Sequence, residues 1–248
     1  MKVMHITPTH LMPLVRKRNC HFALGQNLIT DSLYSQALLS RARQGAFVIV
    51  DNGESEINSG ELEERVPFDK IVKAANAIGA DEIVMPDVFR DKDATLELIE
   101  STGSLHLVPP RQRMLVPQGE TLEEWWDCLM MMVRSTQTRA FGIPKHMERF
   151  HKGRHMLCKH IEEEGLHEYY DFHLLGVWDD PYKEIPPIVV RYPWVRSIDT
   201  GIACAYAQHG LSLVEYAGEH ISLDWGGDTD TDLAIKNLDI LESMACTL

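Results

Sequence analysis

The 248-residue sequence lacks the features that mark several large classes of protein. Its five cysteines are scattered, odd in number and form no CxxC pair, so neither a disulfide framework nor a cysteine-rich zinc site is expected. No apolar run approaches the ~20 residues that cross a bilayer, and the first residues contain no secretory apolar region. We therefore expect a cytoplasmic protein that makes no contact with membranes.

Positive charge is also scarce, with 24 lysines and arginines against 37 aspartates and glutamates and a formal net charge of −13. This balance argues against a protein that binds nucleic acid over its whole surface. Two local basic segments remain, Arg139 to Lys159 and the shorter Arg16-Lys17-Arg18. The longer one is either a solvated helix and loop or a polyanion-binding face. Its candidate phosphate-binding residues are Arg139, Lys145, Arg149, Lys152 and Arg154.

The sequence does contain a series of short apolar runs that stop on polar or turn residues. Such runs predict strands that are buried on both faces. The predicted strands cover residues 3–7, 21–24, 47–51, 82–86, 113–117, 140–143, 172–177 and 195–198. The predicted helices cover residues 31–44, 68–78, 92–101, 121–133, 154–164, 202–209 and 232–244. This alternation predicts one (β/α)8 barrel domain over residues 1–248.

The start of the predicted barrel is irregular, because only a short loop separates the first two strands. This leaves open that one of them caps the barrel or pairs antiparallel. The carboxyl ends of the strands should still converge on one face, where the active sites of such barrels lie.

Polar residues stand at several of these strand ends, namely Asp51, Asp87, Gln118 and Asp199. Each also has a local alternative. Asp51-Asn52-Gly53 is typical of a turn, Asp87 and Asp199 could cap helices, and Gln118-Gly119 could close a loop. Because the residues occur at successive strand ends, we favour a catalytic site that they share.

In order, these motifs resemble those of the queuine/archaeosine tRNA-guanine transglycosylase family. The likeness is greater to its short bacteriophage relatives, which put 7-deazaguanine bases into DNA, and it covers about residues 48–201. The matching segments are Asp51-Asn52-Gly53, Pro86-Asp87-Val88, Val116-Pro117-Gln118-Gly119, Phe141-Gly142-Ile143-Pro144, His173-Leu174-Leu175-Gly176-Val177 and Ser197-Ile198-Asp199. They stand where the family has Asp-Ser-Gly-Gly, Pro-Asp, Val-Gln-Gly-Gly, Gly-Gly-Leu, Tyr/His-Leu-Leu-Gly-Val and its nucleophilic aspartate.

The resemblance implies a pentosyltransferase that exchanges guanine in DNA for a 7-deazaguanine base such as preQ0. Asp199 would be the nucleophile at C1′, and Asp51 the general acid and base. Asp87 would accept hydrogen bonds from the N1–H and 2-amino groups of the base. Trp178, just after a strand end, is a candidate for stacking on a base or ribose. The other residues implied to bind the base are Gln118, Gly119, Gly142, Ile143 and Gly176.

The chain also departs from the family. Full-length tRNA enzymes carry a zinc site of three cysteines and a histidine near the C-terminus, where this chain has only Cys204 and Cys246. We therefore expect no metal and no other cofactor. No appended RNA-binding domain is expected in a chain of this length, and Glu54 replaces a glycine-phenylalanine run. These departures favour DNA over tRNA as the polymer, in the host cytoplasm if a phage encodes the protein.

Three alternatives stay open. The enzyme could act on tRNA, the chain could be a non-catalytic nucleic-acid-binding subunit, or it could be an unrelated metal-dependent barrel hydrolase. The spacing of His5, His10 and His173 matches no metal-ligand signature, and a core or loop position is expected for each. A homodimer is also left open by the sequence.

Overall fold

The computed structural model describes residues 1–101, 103–150, 152–178, 180–216, 218 and 221–246. Within these residues, eight strands pair in parallel in their sequence order, and β1 pairs with β8 to close a barrel. The (β/α)8 fold predicted from the sequence is therefore confirmed. The strands are β1 Lys2–His5, β2 Cys20–Leu24, β3 Phe47–Asp51, β4 Glu82–Val84, β5 Arg113–Leu115, β6 Ala140–Pro144, β7 Asp171–Leu175 and β8 Ser197–Thr200.

Helices follow most of the strands and cover the outside of the barrel. In the described part of the chain they are α1 Gly25–Thr30, α2 Ser32–Arg43, α3 Glu54–Ser59, α4 Phe68–Ile78, α5 Lys92–Ser101, α6 Ser104–Leu107, α7 Leu122–Ser135, α8 Gly153–Glu163, α9 Pro181–Arg191, α10 Ile202–Gln208, α11 Leu213–Tyr216 and α12 Thr231–Ala245. None of these described helices combines the length and the apolar character that crossing a membrane requires.

The first two strands are ordinary members of the barrel. β1 pairs in parallel with both β2 and β8, and β2 pairs in parallel with β3 along its whole length. The alternative in which one of them caps the barrel or pairs antiparallel is therefore wrong. The irregularity lies in their connection, which has a short 3₁₀ turn at Thr9–Leu11 where later connections have an α-helix. Met12 and Val15 of this connection are buried in the core.

The strands are continuously apolar because both of their faces are buried. Side chains alternate along a strand, so one set fills the barrel and the other packs against the helices. Ile49 belongs to the inner cluster, whereas its neighbours Val48 and Val50 belong to the outer one. Glu82 of β4 and Arg196 before β8 form a two-armed ion pair, with 2.7 Å between Oε2 and Nη2. Since these strands are not neighbours, the pair spans the interior at the amino end.

Several helices were not predicted from the sequence, and two of them, α3 and α9, follow the carboxyl ends of β3 and β7. α3 follows β3 directly, after Gly53 in a left-handed conformation. α9 begins at Pro181, with the Asp180 side chain accepting hydrogen bonds from two backbone N–H groups of its first turn. A proline at the first position and an aspartate before it both favour a helix start.

Candidate active site

A cavity of about 370 Å³ opens at the carboxyl ends of the strands. Five acidic side chains line it, one each from β3, the segment after β4 and β8, and two from α3. Three of the five, Asp51, Asp87 and Asp199, stand at strand ends that the sequence identified. Of the site residues predicted from the sequence, those that line the cavity are Asp51, Asp87, Gln118, Lys145, Gly176, Trp178 and Asp199.

Asp199 is buried on β8, and one of its carboxylate oxygens is fixed from two sides. His173 Nε2 lies 2.9 Å from Oδ1, and the backbone N–H of Gly176 donates to the same oxygen at 2.9 Å. The other ring nitrogen of His173, Nδ1, lies 2.8 Å from the Ser197 hydroxyl. Burial lowers the pKa of His173, and this outweighs the opposing effect of Asp199.

A neutral imidazole has one N–H donor and one acceptor nitrogen. We assign the proton of His173 to Nε2, so that the ring donates to Asp199 and accepts at Nδ1 from the Ser197 hydroxyl. Both contacts to Asp199 in the described residues end on Oδ1. Oδ2 is therefore the oxygen available to a ligand in the cavity.

Gly176 forms the turn between Asp199 and the cavity wall. Its φ of 69° lies in the left-handed region, which favours glycine. A Cβ at this position would also lie only 3.1 Å from Nε1 of Trp178. The turn thus directs its N–H at Asp199 and lets the Trp178 indole pack close to the backbone.

Asp51 is set up to carry a proton. Burial raises the pKa of Asp51 well above its ordinary value. The nearby charges of Glu56, Asp199 and Asp87 act in the same direction, and the N–H of Gly53, which donates to Asp51 Oδ2 at 3.1 Å, opposes them. Carboxyl groups that share one site cannot all ionise without a large cost. Asp51 is therefore the group best suited to hold a proton at neutral pH.

Helix α3 supplies the other two acids of the cavity, Glu54, which pairs with Arg65, and Glu56. Burial raises the pKa of Glu56 to about 7, with a further contribution from the charge of Asp199. Its Oε2 atom is buried and has no hydrogen-bond partner among the described residues. Glu56 therefore alternates between protonated and ionised forms near neutral pH.

Asp87 forms a hydrogen-bonded unit with two amide side chains. Asn52 Nδ2 donates to Oδ1 of Asp87 at 2.6 Å, and Gln118 Nε2 donates to Oδ2. Burial raises the pKa of Asp87 to about 7 although these two bonds act in the opposite direction. Gln118 Oε1 accepts from the backbone N–H of Arg90 at 3.0 Å, which fixes its amide. Each carboxylate oxygen of Asp87 can still accept a second bond from a ligand.

Aromatic rings form much of the cavity wall. Phe22 stacks on His173 with 5.7 Å between ring centroids and 4° between planes. Phe89 and His146 meet edge to face at 4.8 Å, and Trp178 lines the cavity as well. Flat apolar walls around acidic acceptors suit a planar heterocycle that carries several N–H donors.

Three residues predicted to bind the base do not belong to the cavity lining of the described residues. Gly142 is covered by Leu175, whose Cδ1 would lie 2.7 Å from a Cβ at that position. Ile143 is fully buried in the outer core. Gly119 packs against the start of α7, where a Cβ would lie 2.5 Å from the backbone nitrogen of Trp125. The structure corrects the prediction for these residues, since each is required for packing.

The structure also corrects two members of the predicted phosphate-binding segment. Arg139 directly precedes β6 and lies at the amino end of the barrel, opposite to the cavity. Arg154 is 0% exposed. Its guanidinium donates to the carbonyls of Pro144 at 3.3 Å and Gly176 at 3.1 Å and pairs with Glu184. Neither side chain can reach phosphates at the mouth.

The remaining three basic residues lie on the cavity side of the barrel. Lys145 lines the cavity, and its Nζ lies 2.8 Å from Glu184 Oε2. Arg149 pairs with Glu120, whereas Lys152 is exposed. Acidic partners thus offset part of this charge, and phosphate binding by these residues stays a prediction.

Sequence reasoning missed Glu56, His173 and Ser197 as members of the site. Glu56 lies in a segment for which the sequence predicted neither a strand nor a helix, and nothing in its composition marks a helix. A signal did exist for the other two. Ser197 and Asp199 are two residues apart in β8, so they share a face, and Ser197 is in register with His173 of the apolar strand β7.

No family model matches the chain, and no curated protein matches it. Within the described residues, no three or more histidine, cysteine, aspartate or glutamate side chains are grouped so that they could hold a metal ion. The class of protein is therefore described by the fold and by the geometry of the site. It is a (β/α)8 barrel whose mouth combines a fixed carboxylate, a proton-carrying carboxyl group and acceptors for a planar, donor-rich ring.

Proposed function

We propose that the protein is a guanine transglycosylase that exchanges a guanine of DNA for a 7-deazaguanine base such as preQ0. The observation that carries this proposal is the Asp199 carboxylate, which His173 and Gly176 hold by one oxygen in a cavity shared with Asp51. A carboxylate with one fixed and one available oxygen suits attack on an anomeric carbon, as in two-carboxylate glycosidases.

The first step forms a bond between Asp199 Oδ2 and C1′ while the C1′–N9 bond breaks. The electron pair of that bond goes to guanine, and the proton on Asp51 neutralises the leaving base. In the second step, Asp51 takes the N9 proton of the incoming base. N9 of the incoming base then attacks C1′, the bond between C1′ and Asp199 Oδ2 breaks, and Asp199 is released as a carboxylate. The raised pKa of Asp51 supports the acid role, because the group holds its proton until the base leaves.

Recognition of the base falls to the unit of Asp87, Asn52 and Gln118. An ionised Asp87 accepts from the N1–H and 2-amino group, which guanine and a 7-deazaguanine share. Trp178, Phe22 and Phe89 provide the apolar walls that the ring needs. A guanine would have to be flipped out of a duplex to enter, at a cost of a few kcal/mol. Exchange also requires that water stays away from the covalent intermediate.

The first testable prediction concerns Asp199. In an assay that follows radiolabelled guanine into duplex DNA, Asp199→Asn should lower the exchange rate by about 10³-fold or more, because the nucleophile is lost. The wild-type protein should also form a DNA adduct that survives a denaturing gel, and the variant should not. Asp127→Asn, an exposed position on α7, is the matched control and should exchange at the wild-type rate.

The outcomes separate two of the alternatives that the sequence left open, tRNA as the polymer and a non-catalytic subunit. Exchange that persists in Asp199→Asn would contradict the proposed nucleophile. Exchange into tRNA but not DNA would keep the chemistry and change the polymer. Nucleic-acid binding by the wild-type protein with neither exchange nor adduct would identify a non-catalytic subunit.

A further inference from the structure

A second and larger cavity, of about 950 Å³, lies outside the barrel mouth. We refer to it as the α2 groove. The β1–β2 connection, with Arg16 and Lys17, forms one side, and α2, with Leu33 and Arg41, forms the other. Trp225, from the segment before α12, completes it. None of these residues takes part in the chemistry proposed above.

The α2 groove is positive although the chain as a whole is strongly negative. Arg16 and Lys17 are exposed and form no ion pair with the described residues, and His10 stands next to them on the exposed surface. The acidic side chain in the lining is Asp31. Its carboxylate is already occupied, because it accepts from the Thr9 hydroxyl and from two backbone N–H groups at the start of α2.

Arg41 adds a further positive charge to the lining of the α2 groove. Its side chain is buried, and its guanidinium donates to Gln44 Oε1 and to the carbonyl oxygen of Arg18, each at 2.6 Å. In the described part of the chain it has no carboxylate partner. A buried cation that lacks a counter-charge raises the energy of the empty groove, and an anion bound nearby lowers it. The groove is therefore suited to an anionic occupant.

Trp225 lies between the α2 groove and the inner core of the barrel. It lines the groove and also packs against the inner core cluster, whose members Ile6 and Phe22 line the active cavity. Its ring meets Tyr34 edge to face at 6.0 Å, which holds the indole in place.

We propose that the α2 groove binds the sugar-phosphate backbone of the nucleic acid whose base enters the active cavity. Arg16 and Lys17 contact phosphates, and the exposed side chain of Leu33 and the ring of Trp225 contact sugars or unpaired bases. Cations along an apolar, aromatic floor are the usual design of a single-strand groove. The identity of the polymer rests on the function proposed above, whereas the anionic occupant rests on the groove itself.

The test compares three double variants with the wild-type protein by fluorescence anisotropy, using labelled single-stranded DNA of 20 nucleotides and duplex DNA of 20 base pairs. Arg16→Ala/Lys17→Ala should lower affinity about tenfold near 100 mM salt and reduce the slope of log K against log salt by about 1 to 2, since each phosphate contact contributes about 0.7–0.9. Arg16→Glu/Lys17→Glu should weaken binding further. Arg111→Ala/Arg139→Ala removes two exposed arginines from the amino end of the barrel and should bind like wild type.

Binding needs no catalysis, so its failure can be told apart from failure of the proposed function. If Arg16→Ala/Lys17→Ala binds DNA with the affinity and salt slope of the wild type, the proposal that the α2 groove binds the backbone is wrong, even if base exchange occurs. If DNA binding depends on Arg16 and Lys17 but the wild-type protein exchanges no base, the proposal for the α2 groove is supported and the proposed enzymatic function is wrong. Full displacement of DNA by dGMP at an equal phosphate concentration would identify a small-anion site and would also overturn a backbone-binding groove.

Discussion

His173 decides which oxygen of Asp199 is free to react. The ring joins β7 to β8 by bonding Ser197 at one nitrogen and Asp199 at the other. Because burial lowers the pKa of His173, the ring is neutral and cannot add a positive charge that would weaken the proposed nucleophile. Its part in the proposed reaction is to position the Asp199 carboxylate.

The second prediction follows from this position. His173→Ala should slow formation of the covalent adduct about 10–100-fold at saturating DNA and leave KM nearly unchanged, because a carboxylate that rotates attacks less often. His173→Gln, whose amide can donate to Asp199, should recover much of the rate. Ser197→Ala should cost less than His173→Ala. The measurement is the single-turnover rate of adduct formation, with thermal unfolding of each variant as the control for folding.

A purely structural role for His173 would give another pattern. Adduct formation would then fall in proportion to the fraction of unfolded protein, and His173→Gln would not recover the rate of His173→Ala. Equal rates in wild type and His173→Ala would contradict the positioning role.

The acidic residues of the site could be predicted from the sequence because strand ends mark them. Asp51, Asp87 and Asp199 each follow an apolar run, and the barrel brings such ends together whatever the details of packing. Glu56 could not be predicted in this way, since its place depends on α3, a helix of six residues set by the left-handed Gly53. Gly142 failed for a related reason, because only packing decides that Leu175 covers it.

Among the elements, α8, α9 and the ends of β6 and β7 are joined by one buried arginine. Arg154 of α8 donates to the carbonyl of Pro144, the last residue of β6, and to that of Gly176, just after β7, and pairs with Glu184 of α9. Burial alone would raise the pKa of Glu184, but Arg154 and Lys145 hold it below its ordinary value. The carbonyl of Gly176 is one of the acceptors, so this pair supports the turn that directs an N–H at Asp199.

The third prediction is that Arg154 and Glu184 act as a unit in stability. Arg154→Ala and Glu184→Ala should each lower the free energy of unfolding by about 3–5 kcal/mol, because each leaves the partner charge buried and unpaired. The double variant should cost clearly less than the sum of the two single changes. Urea unfolding of all four proteins measures the coupling. Additive losses would contradict a coupled pair, and a changed salt slope of DNA binding in folded Arg154→Ala would restore the phosphate-binding role.

The elements that the sequence did not predict lack a regular pattern of their own. α9 carries Pro186 and Pro187 in its interior, and prolines there normally argue against a helix. It forms because Asp180 and Pro181 start it well and because Ile185, Ile188 and Val189 are buried. The β1–β2 connection was hard to predict for a different reason. It has no helix, yet the closure of the barrel forces parallel pairing on both strands.

For the molecule as a whole, the acidic cavity should make stability depend on pH. Glu56 and Asp87 have pKa values of about 7 in the folded state, and that of Asp51 is raised as well, chiefly by burial. In the unfolded chain these groups ionise near pH 4. Their contribution to stability is therefore fully present below about pH 4 and is lost as the pH rises through about 7.

Buried histidines give the opposite dependence at low pH. Burial lowers the pKa of His21 and His146 to about 4, so the neutral rings favour the folded state above pH 6.5. This contribution is lost as the pH falls through about 4. The two windows overlap between about pH 4 and 6.5, where the carboxyl groups and the histidines act in opposite directions and partly cancel.

The fourth prediction is that Glu56→Gln removes part of the stability loss at alkaline pH. Glu56→Gln keeps the shape of the side chain and cannot ionise. It should raise the free energy of unfolding at pH 8 by about 1–3 kcal/mol relative to wild type and have little effect at pH 5. Urea unfolding at half-unit steps from pH 5 to 9 measures both effects. Glu97→Gln, on the exposed face of α5, is the matched control and should follow the wild-type curve. A parallel decline of Glu56→Gln and wild type above pH 6 would contradict the proton that we assign to this carboxyl group.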